Sequence, residues 1–125
     1  MSELTFGGAF PVVVVADADR ALRFYVDLLG ATEIFRFPPE GDAGFVSMQF
    51  PDGTKLGLGV DASMSQGANA ALELCIYASD CDAAVERLRA AGVPIVDEPA
   101  DQPWGERMAH VLDPDGNRIS LLGRA

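Results

Sequence analysis

Residues 51–58 read PDGTKLGL, and residues 114–121 read PDGNRISL. Each stretch is a Pro-Asp-Gly turn followed by alternating residues, a pattern typical of a turn that leads into a β-strand. The first copy begins at residue 51 and the second at residue 114, so the offset is 63 residues. A sequence pattern that recurs without a gap predicts an internal structural repeat, provided that the same offset relates other parts of the chain.

The same offset holds upstream of both turns. Residues 10–17 read FPVVVVAD and residues 73–80 read ELCIYASD, so each is an apolar strand that ends in an aspartate able to cap a helix. A helical pattern follows each aspartate, and the two patterns end at Gly30 and Gly92. The chain is therefore predicted to contain two modules of the order strand–helix–strand–strand–strand.

The repeat also predicts the domain organisation. We expect one domain over 1–125, with a first module at about 9–60, a linker at 61–69 and a second module at about 70–122. The predicted strands are 10–16, 31–37, 45–50, 54–60, 71–78, 93–97, 106–112 and 118–122, and the predicted helices run from Asp17 or Asp19 to Gly30 and over 82–91. A loop at 98–105 contains the single tryptophan.

The composition disfavours several classes of protein. The formal net charge is −10 and the pI is about 4.3, whereas nucleic-acid binding requires a basic face. No apolar run reaches the ~18 residues that a membrane helix needs, and we see no signal-peptide pattern. The two cysteines are Cys75, in a strand that should be buried, and Cys81. We therefore expect reduced structural thiols and a cytoplasmic protein.

Three stretches closely resemble the vicinal-oxygen-chelate superfamily, which includes glyoxalase I, extradiol dioxygenases and bleomycin-resistance proteins. They are residues 10–30, 51–58 and 103–122, and the PWGER of residues 103–107 looks most like the bleomycin-resistance branch. The resemblance implies an α+β fold. In such a fold two tandem βαβββ modules form curled mixed sheets around a cup-like cavity, with the helices outside. It also implies a homodimer.

The resemblance indicates where a metal would be bound. Catalytic members carry four ligands, typically His, Glu, His or Gln, and Glu, and the matching positions here are Phe10, Gly57, Glu73 and Ser120. Phe10 and Gly57 have no donor side chain, and a serine hydroxyl is a weak neutral ligand, whereas zinc takes three or four ligands from a protein. We therefore predict that the metal site is lost and that no cofactor is bound. The glycine and the aromatic residue would instead enlarge and line a pocket.

Strand alternation predicts which side chains face the cup. The predicted ligand-binding residues are Phe10, Val12, Ser47, Gly57, Glu73, Cys75, Trp104, His110 and Ser120, with Val14 on the same face. They combine an apolar floor with a few polar groups, as small-molecule sites do. Trp104 would either stack on a planar or cationic ligand or pack against its own loop or a partner. His110 faces the cup if the last hairpin pairs it with Ser120.

Two further groups of residues have two interpretations each. Phe35 and Phe37 form either a second aromatic wall of the cup or part of the ordinary core. The loop acids either attract a cationic ligand or are simply solvated; they are Glu40, Asp42, Asp97, Glu98 and Asp101.

These observations leave three functional hypotheses. The first is a homodimeric, metal-independent protein that sequesters an aromatic or cationic small molecule without turnover and so confers resistance to an antibiotic or a toxic metabolite. The second is a glyoxalase- or dioxygenase-like lyase or isomerase, with either a rebuilt metal site or Glu73 and His110 as an acid–base pair. The third is an accessory subunit that binds a protein partner.

Overall fold

The computed structural model describes residues 4–5, 8–63 and 73–125. In these ranges the chain forms eight strands and two α-helices, the first of which continues as a π-helical segment. The elements are β1 (Val12–Val15), α1 (Ala18–Leu22), the π-helical segment (Arg23–Leu28), β2 (Thr32–Phe37), β3 (Phe45–Gln49), β4 (Lys55–Val60), β5 (Leu74–Tyr77), α2 (Cys81–Ala90), β6 (Ile95–Asp101), β7 (Glu106–Leu112) and β8 (Arg118–Arg124).

The strands form two four-stranded sheets. The first has the order β1-β4-β3-β2 and the second the order β5-β8-β7-β6, and in each sheet one parallel pair adjoins two antiparallel pairs. Val12 pairs with Gly57 in the first sheet, and Cys75 pairs with Ser120 in the second. The two pairs are related by the offset of 63 residues. The repeat therefore extends to the hydrogen-bond register, and the predicted α+β fold with mixed sheets is confirmed.

The predicted aspartate caps are present at both helices. The Asp17 carboxylate accepts a hydrogen bond from the backbone N–H of Arg20 at 3.2 Å, and the Asp80 carboxylate accepts one from the backbone N–H of Ala83 at 3.0 Å. These contacts satisfy backbone donors that have no partner inside the helix. Of the two predicted caps for the first helix, Asp17 is the one that is used.

Two predicted boundaries were wrong. Strand β6 continues to Asp101, so the predicted loop at 98–105 is shorter, because residues 100 and 101 still pair with β7 across two irregularities in register. Pro99 is tolerated there because β6 lies at the edge of its sheet. The helix predicted over 82–91 ends at Ala90, and Ala91 is its exposed C-terminal cap. Most of the predicted linker, residues 64–69, lies outside the described residues.

One face of each sheet packs against helical residues to form the core. In the first module the buried strand residues are Val13, Val15, Val46, Met48, Leu56 and Leu58, and the buried helical residues are Ala21, Phe24 and Tyr25. The rings of Phe24 and Tyr25 meet edge to face with their centres 4.9 Å apart, a favourable arrangement for aromatic pairs. In the second module Val85 and Leu88 of α2 are buried in the same way. No helix in the described part of the chain has both the length and the apolar character that crossing a bilayer requires.

The second Pro-Asp-Gly turn joins the two modules. The hydroxyl of Tyr25 donates to Asp113 at 2.8 Å, and the Arg20 guanidinium donates to Asp115 at 2.7 Å. Asp115 also accepts from the backbone N–H of Ala16 at 3.0 Å. Burial raises the pKa of Tyr25 far above its ordinary value, and the negative charge of Asp113 raises it further. The buried phenol therefore stays protonated in the folded protein.

This buried phenol predicts that the free energy of unfolding falls as the pH rises above about 10. In the unfolded chain Tyr25 loses its proton near its ordinary pKa of about 10. Above that pH the unfolded state binds fewer protons than the folded state, so unfolding becomes more favourable. One group contributes about 1.4 kcal/mol per pH unit. Urea unfolding on either side of that pH measures the slope.

The variant Tyr25→Phe should reduce this slope by the same amount. It should also lower stability at neutral pH by roughly 1–3 kcal/mol, because the buried Asp113 loses a hydrogen-bond donor. Tyr77→Phe is the matched control. Tyr77 is exposed and Glu106 raises its pKa, so its contribution ends once the pH passes that pKa, whereas the contribution of the buried Tyr25 continues. Equal slopes in wild type and Tyr25→Phe would contradict this account.

Candidate functional site

Each sheet has a second face that its helix does not cover, which we call the open face. On the first sheet, one row across the open face consists of Val12, Gly57, Ser47 and Phe35, which are in register on four neighbouring strands. Phe37 is 63% exposed, and Phe35, Val12 and Phe10 are exposed as well. Phe35 and Phe37 therefore do not belong to the ordinary core. The predicted residues Val12, Ser47 and Gly57 belong to this face, and the exposed Phe10 lies two residues before Val12.

Gly57 does not enlarge a pocket, contrary to the prediction. A Cβ atom placed on Gly57 would lie 3.0 Å from Cε1 of Phe45 and 3.1 Å from Cγ2 of Val12. These distances are shorter than ordinary van der Waals contacts. A metal-binding side chain at residue 57 would therefore collide with Phe45 and Val12. Because glycine has no side chain, the Phe45 ring can lie across β4.

The open face of the second sheet is more polar. Cys75, Ser120 and His110 form a row in register, so the predicted pairing of His110 with Ser120 is confirmed. Tyr77, Leu122 and Met108 form the next row. Cys75 is exposed, and Cys81 is the buried cysteine. The expectation that Cys75 is buried was wrong, because residue 75 alternates with the core residues Leu74 and Ile76.

Glu73 and His110 come together on this face. The Ser120 hydroxyl donates to Oε1 of Glu73 at 2.5 Å, and Nε2 of His110 lies 3.8 Å from the same oxygen. On the other side of the ring, Nδ1 of His110 is 2.9 Å from Oδ2 of Asp97, which also lies 3.4 Å from the Arg118 guanidinium. The result is a chain of polar contacts from Ser120 through Glu73, His110 and Asp97 to Arg118.

Asp97 is a site residue that the sequence did not identify as a partner of His110. Its alignment with His110 depends on the irregular pairing of β6 with β7, which shifts between residues 95 and 97 and again before residue 100. Irregularities of this kind bend an edge strand and redirect its side chains. Strict alternation could not have placed Asp97 beside the imidazole. The only available signal was an acidic residue near the end of a predicted strand.

Trp104 lies in the turn between β6 and β7, and it is 60% exposed. Its indole N–H donates to Glu106 at 2.8 Å. Glu106 also raises the pKa of Tyr77, first through hydrogen bonding to its phenol and then through its negative charge. We call Tyr77, Trp104 and Glu106 the aromatic rim. It presents two exposed aromatic rings beside a carboxylate, an arrangement suited to a planar or cationic group.

Three of the five loop acids are engaged by basic groups. Glu98 pairs with Arg89, Asp101 pairs with Arg107, and Asp97 contacts His110 and Arg118. Glu40 and Asp42 are exposed in the segment between β2 and β3. Most of the predicted cation-attracting set is therefore neutralised locally, which favours the interpretation of these acids as ordinary surface charges.

The four inherited metal positions do not make a ligand set. Phe10 and Gly57 provide no donor, Phe45 and Val12 fill the space at Gly57, and the Ser120 hydroxyl is fully buried and directed at Glu73. Within residues 4–5, 8–63 and 73–125, no group of three or more His, Cys, Asp or Glu side chains is arranged to hold a metal ion. An open pocket of about 420 Å³ lies elsewhere, between the π-helical segment, residues 91–94 and the turn after β7.

The chain is similar to known proteins along nearly its whole length. The family described as the Glyoxalase/Bleomycin resistance protein/Dioxygenase superfamily matches residues 9–121. A member of that superfamily from Sphaerobacter thermophilus is 27% identical, with a TM-score of 0.78 over 97% of this chain and 100% of that chain. TnmS3, an antibiotic binding protein from Streptomyces, is 28% identical, with a TM-score of 0.73 over 98% and 100%. A bleomycin resistance determinant encoded on the transposon Tn5 is 25% identical, with a TM-score of 0.73 over 95% and 98%.

The missing ligand set predicts that the purified protein binds little transition metal. After exposure to Zn²⁺, Ni²⁺, Mn²⁺ or Fe²⁺ and desalting, elemental analysis should find well below one equivalent per chain, because one carboxylate cannot hold these ions tightly. Glu73→Gln should give the same content as wild type. Near one equivalent in wild type, lost in Glu73→Gln, would mean that Glu73 belongs to a rebuilt metal centre.

Proposed function

The chain belongs to the glyoxalase/bleomycin resistance protein/dioxygenase superfamily, and we propose that it is a metal-independent binding protein that sequesters an aromatic or cationic small molecule without turnover. The observation that carries this proposal is the pair of open faces, one apolar and aromatic and the other polar, together with the lack of a metal-ligand set among residues 4–5, 8–63 and 73–125. Sequestration requires a pocket and enough protein, so missing catalytic ligands are no objection. TnmS3 and the Tn5 determinant are relatives whose names describe antibiotic binding and bleomycin resistance.

We further propose that two copies of the chain complete the cup. Phe10, Val12, Phe35 and Phe37 are exposed apolar side chains on or just before strands of the first sheet, and exposed apolar surface of this kind usually marks a binding or association site. In a two-fold dimer the contacts are reciprocal, so each chain would cover an open face of its partner in the same way. The modules at about 9–60 and 70–122 are then the two halves of one domain, and the open face of each forms one side of a cup. Free Cys75 and Cys81 suit a reducing cytoplasm.

The second candidate function is an enzyme that uses Glu73 and His110. The observation that favours it is the Asp97–His110–Glu73 array, in which a carboxylate orients an imidazole as it does in many general bases. Product formation separates this candidate from sequestration, since a binding protein returns its ligand chemically unchanged.

Titration with metal-free bleomycin in the presence of EDTA tests the binding proposal. Trp104 is the single tryptophan, so intrinsic fluorescence reports the aromatic rim directly. We expect saturable quenching, recovery of bleomycin with its mass unchanged, and light scattering at twice the 13.2 kDa chain mass. Quenching without saturation, or a ligand altered in mass, would count against sequestration.

The variant Trp104→Ala should weaken bleomycin binding about fivefold or more, because stacking on an aromatic ring contributes about 1 kcal/mol. Calorimetry measures this affinity without depending on the fluorophore. Val96→Ala is the matched control, since Val96 is an exposed apolar residue outside the predicted ligand-binding set, and it should bind as wild type does. Equal affinities for wild type and Trp104→Ala would remove the tryptophan from the site.

A further inference from the structure

In its neutral form, the imidazole of His110 directs an acceptor atom toward Glu73. Its Nδ1 lies 2.9 Å from Oδ2 of Asp97, and a carboxylate can only accept, so Nδ1 carries the hydrogen of that bond. In the neutral ring Nε2 is then a hydrogen-bond acceptor. Nε2 forms no hydrogen bond with any residue that the structure describes, and Oε1 of Glu73, at 3.8 Å, is beyond hydrogen-bond distance.

Glu73 supplies the second acceptor. Its Oε1 already receives the hydroxyl hydrogen of Ser120 at 2.5 Å, and that hydroxyl has no further hydrogen to give to Nε2. Two acceptors therefore face each other across 3.8 Å with no described donor between them. The His110 side chain is 10% exposed and that of Glu73 is 59% exposed. The space between the two atoms is therefore shielded from solvent near His110 and open to solvent near Glu73.

We propose that Nε2 of His110 and Oε1 of Glu73 together bind one primary ammonium or amidinium nitrogen of the ligand, each accepting one of its N–H hydrogens. This inference rests on the binding function proposed above and names the polar group of its ligand. A nitrogen about 2.9 Å from both atoms can make both hydrogen bonds, because the atoms are less than twice that distance apart. The carboxylate charge strengthens the bond to a cationic nitrogen.

The position of the pair also indicates what the nitrogen is attached to. Cys75, Ser120 and His110 form one row of the open face, and Tyr77 belongs to the next row, which leads toward the aromatic rim. A ligand with its nitrogen at Glu73 and His110 would lie along this face with an aromatic body near Tyr77 and Trp104. The ligand class is therefore an aromatic compound that carries a primary amine or amidine.

Benzylamine and N,N-dimethylbenzylamine distinguish this recognition from simple attraction to an acidic protein. Both are cations at neutral pH and both carry the same ring, but the second has only one N–H. His110 is the single histidine, so the ¹⁵N resonances of its ring report the pair without overlap. We expect millimolar benzylamine to shift the Nε2 resonance in a saturable way. The dimethyl compound should bind roughly three- to tenfold more weakly, as expected for one lost hydrogen bond.

Glu73→Gln should weaken benzylamine binding by roughly the same factor or more, because the acceptor loses its charge. Glu98→Gln removes the same charge from a residue that pairs with Arg89, so it is the matched control and should bind as wild type does. Circular dichroism checks that both variants are folded. Equal binding of the two amines, an unmoved Nε2 resonance, or equal losses in the two variants would overturn the proposal.

These outcomes are separate from those of the bleomycin experiment. Saturable quenching of Trp104 by bleomycin together with an unmoved His110 resonance in benzylamine would leave the binding function standing and remove the amine site. A benzylamine response at His110 without bleomycin binding would keep the amine site and reject bleomycin as the ligand.

Discussion

The buried contacts of the second Pro-Asp-Gly turn hold the two modules in one arrangement. Tyr25 and Arg20, from the helical part of the first module, reach Asp113 and Asp115 in the second. Charged and polar groups are costly to bury unless they are hydrogen-bonded, so the modules cannot slide past each other without breaking these contacts. The directions of the two open faces, and with them the geometry of any cup, depend on this junction.

The two modules share a backbone pattern but have diverged in the chemistry of their open faces. Phe10 and Glu73 are equivalent by the offset of 63 residues, as are the pairs Ser47 with His110 and Gly57 with Ser120. In each pair the first module has the less polar residue or a shorter side chain, and the second has the group that can hydrogen-bond more strongly or carry charge. Packing of Phe45 over Gly57 adds to this difference on the first sheet, because it closes the space at the position that the resemblance matches to a metal ligand.

The fold could be predicted from the sequence because the repeat is carried by turns, caps and alternation, which act locally. The pairing of His110 with Ser120 followed from the turn length alone, and it is observed. The placement of Asp97 beside His110 could not be predicted, since it depends on irregular pairing at an edge strand. The position of Phe45 over Gly57 depends on how a ring crosses to a neighbouring strand, and the exposure of Cys75 depends on which face the helix leaves open. All three features depend on tertiary packing, and the neighbouring residues in the sequence do not indicate them.

The register shared by the two sheets has a consequence for how such a protein can evolve. Val12 and Gly57 on one open face have counterparts in Cys75 and Ser120 on the other, held by the same parallel pairing, so the backbone there does not restrict which open face is changed. A substitution on the apolar open face of the first sheet alters which ligand shapes can bind. A substitution on the polar open face of the second sheet alters which ligand charges can bind. Two copies of one βαβββ unit therefore provide two determinants of ligand specificity that can change separately. A substitution on one open face need not disturb the specificity that the other open face has acquired.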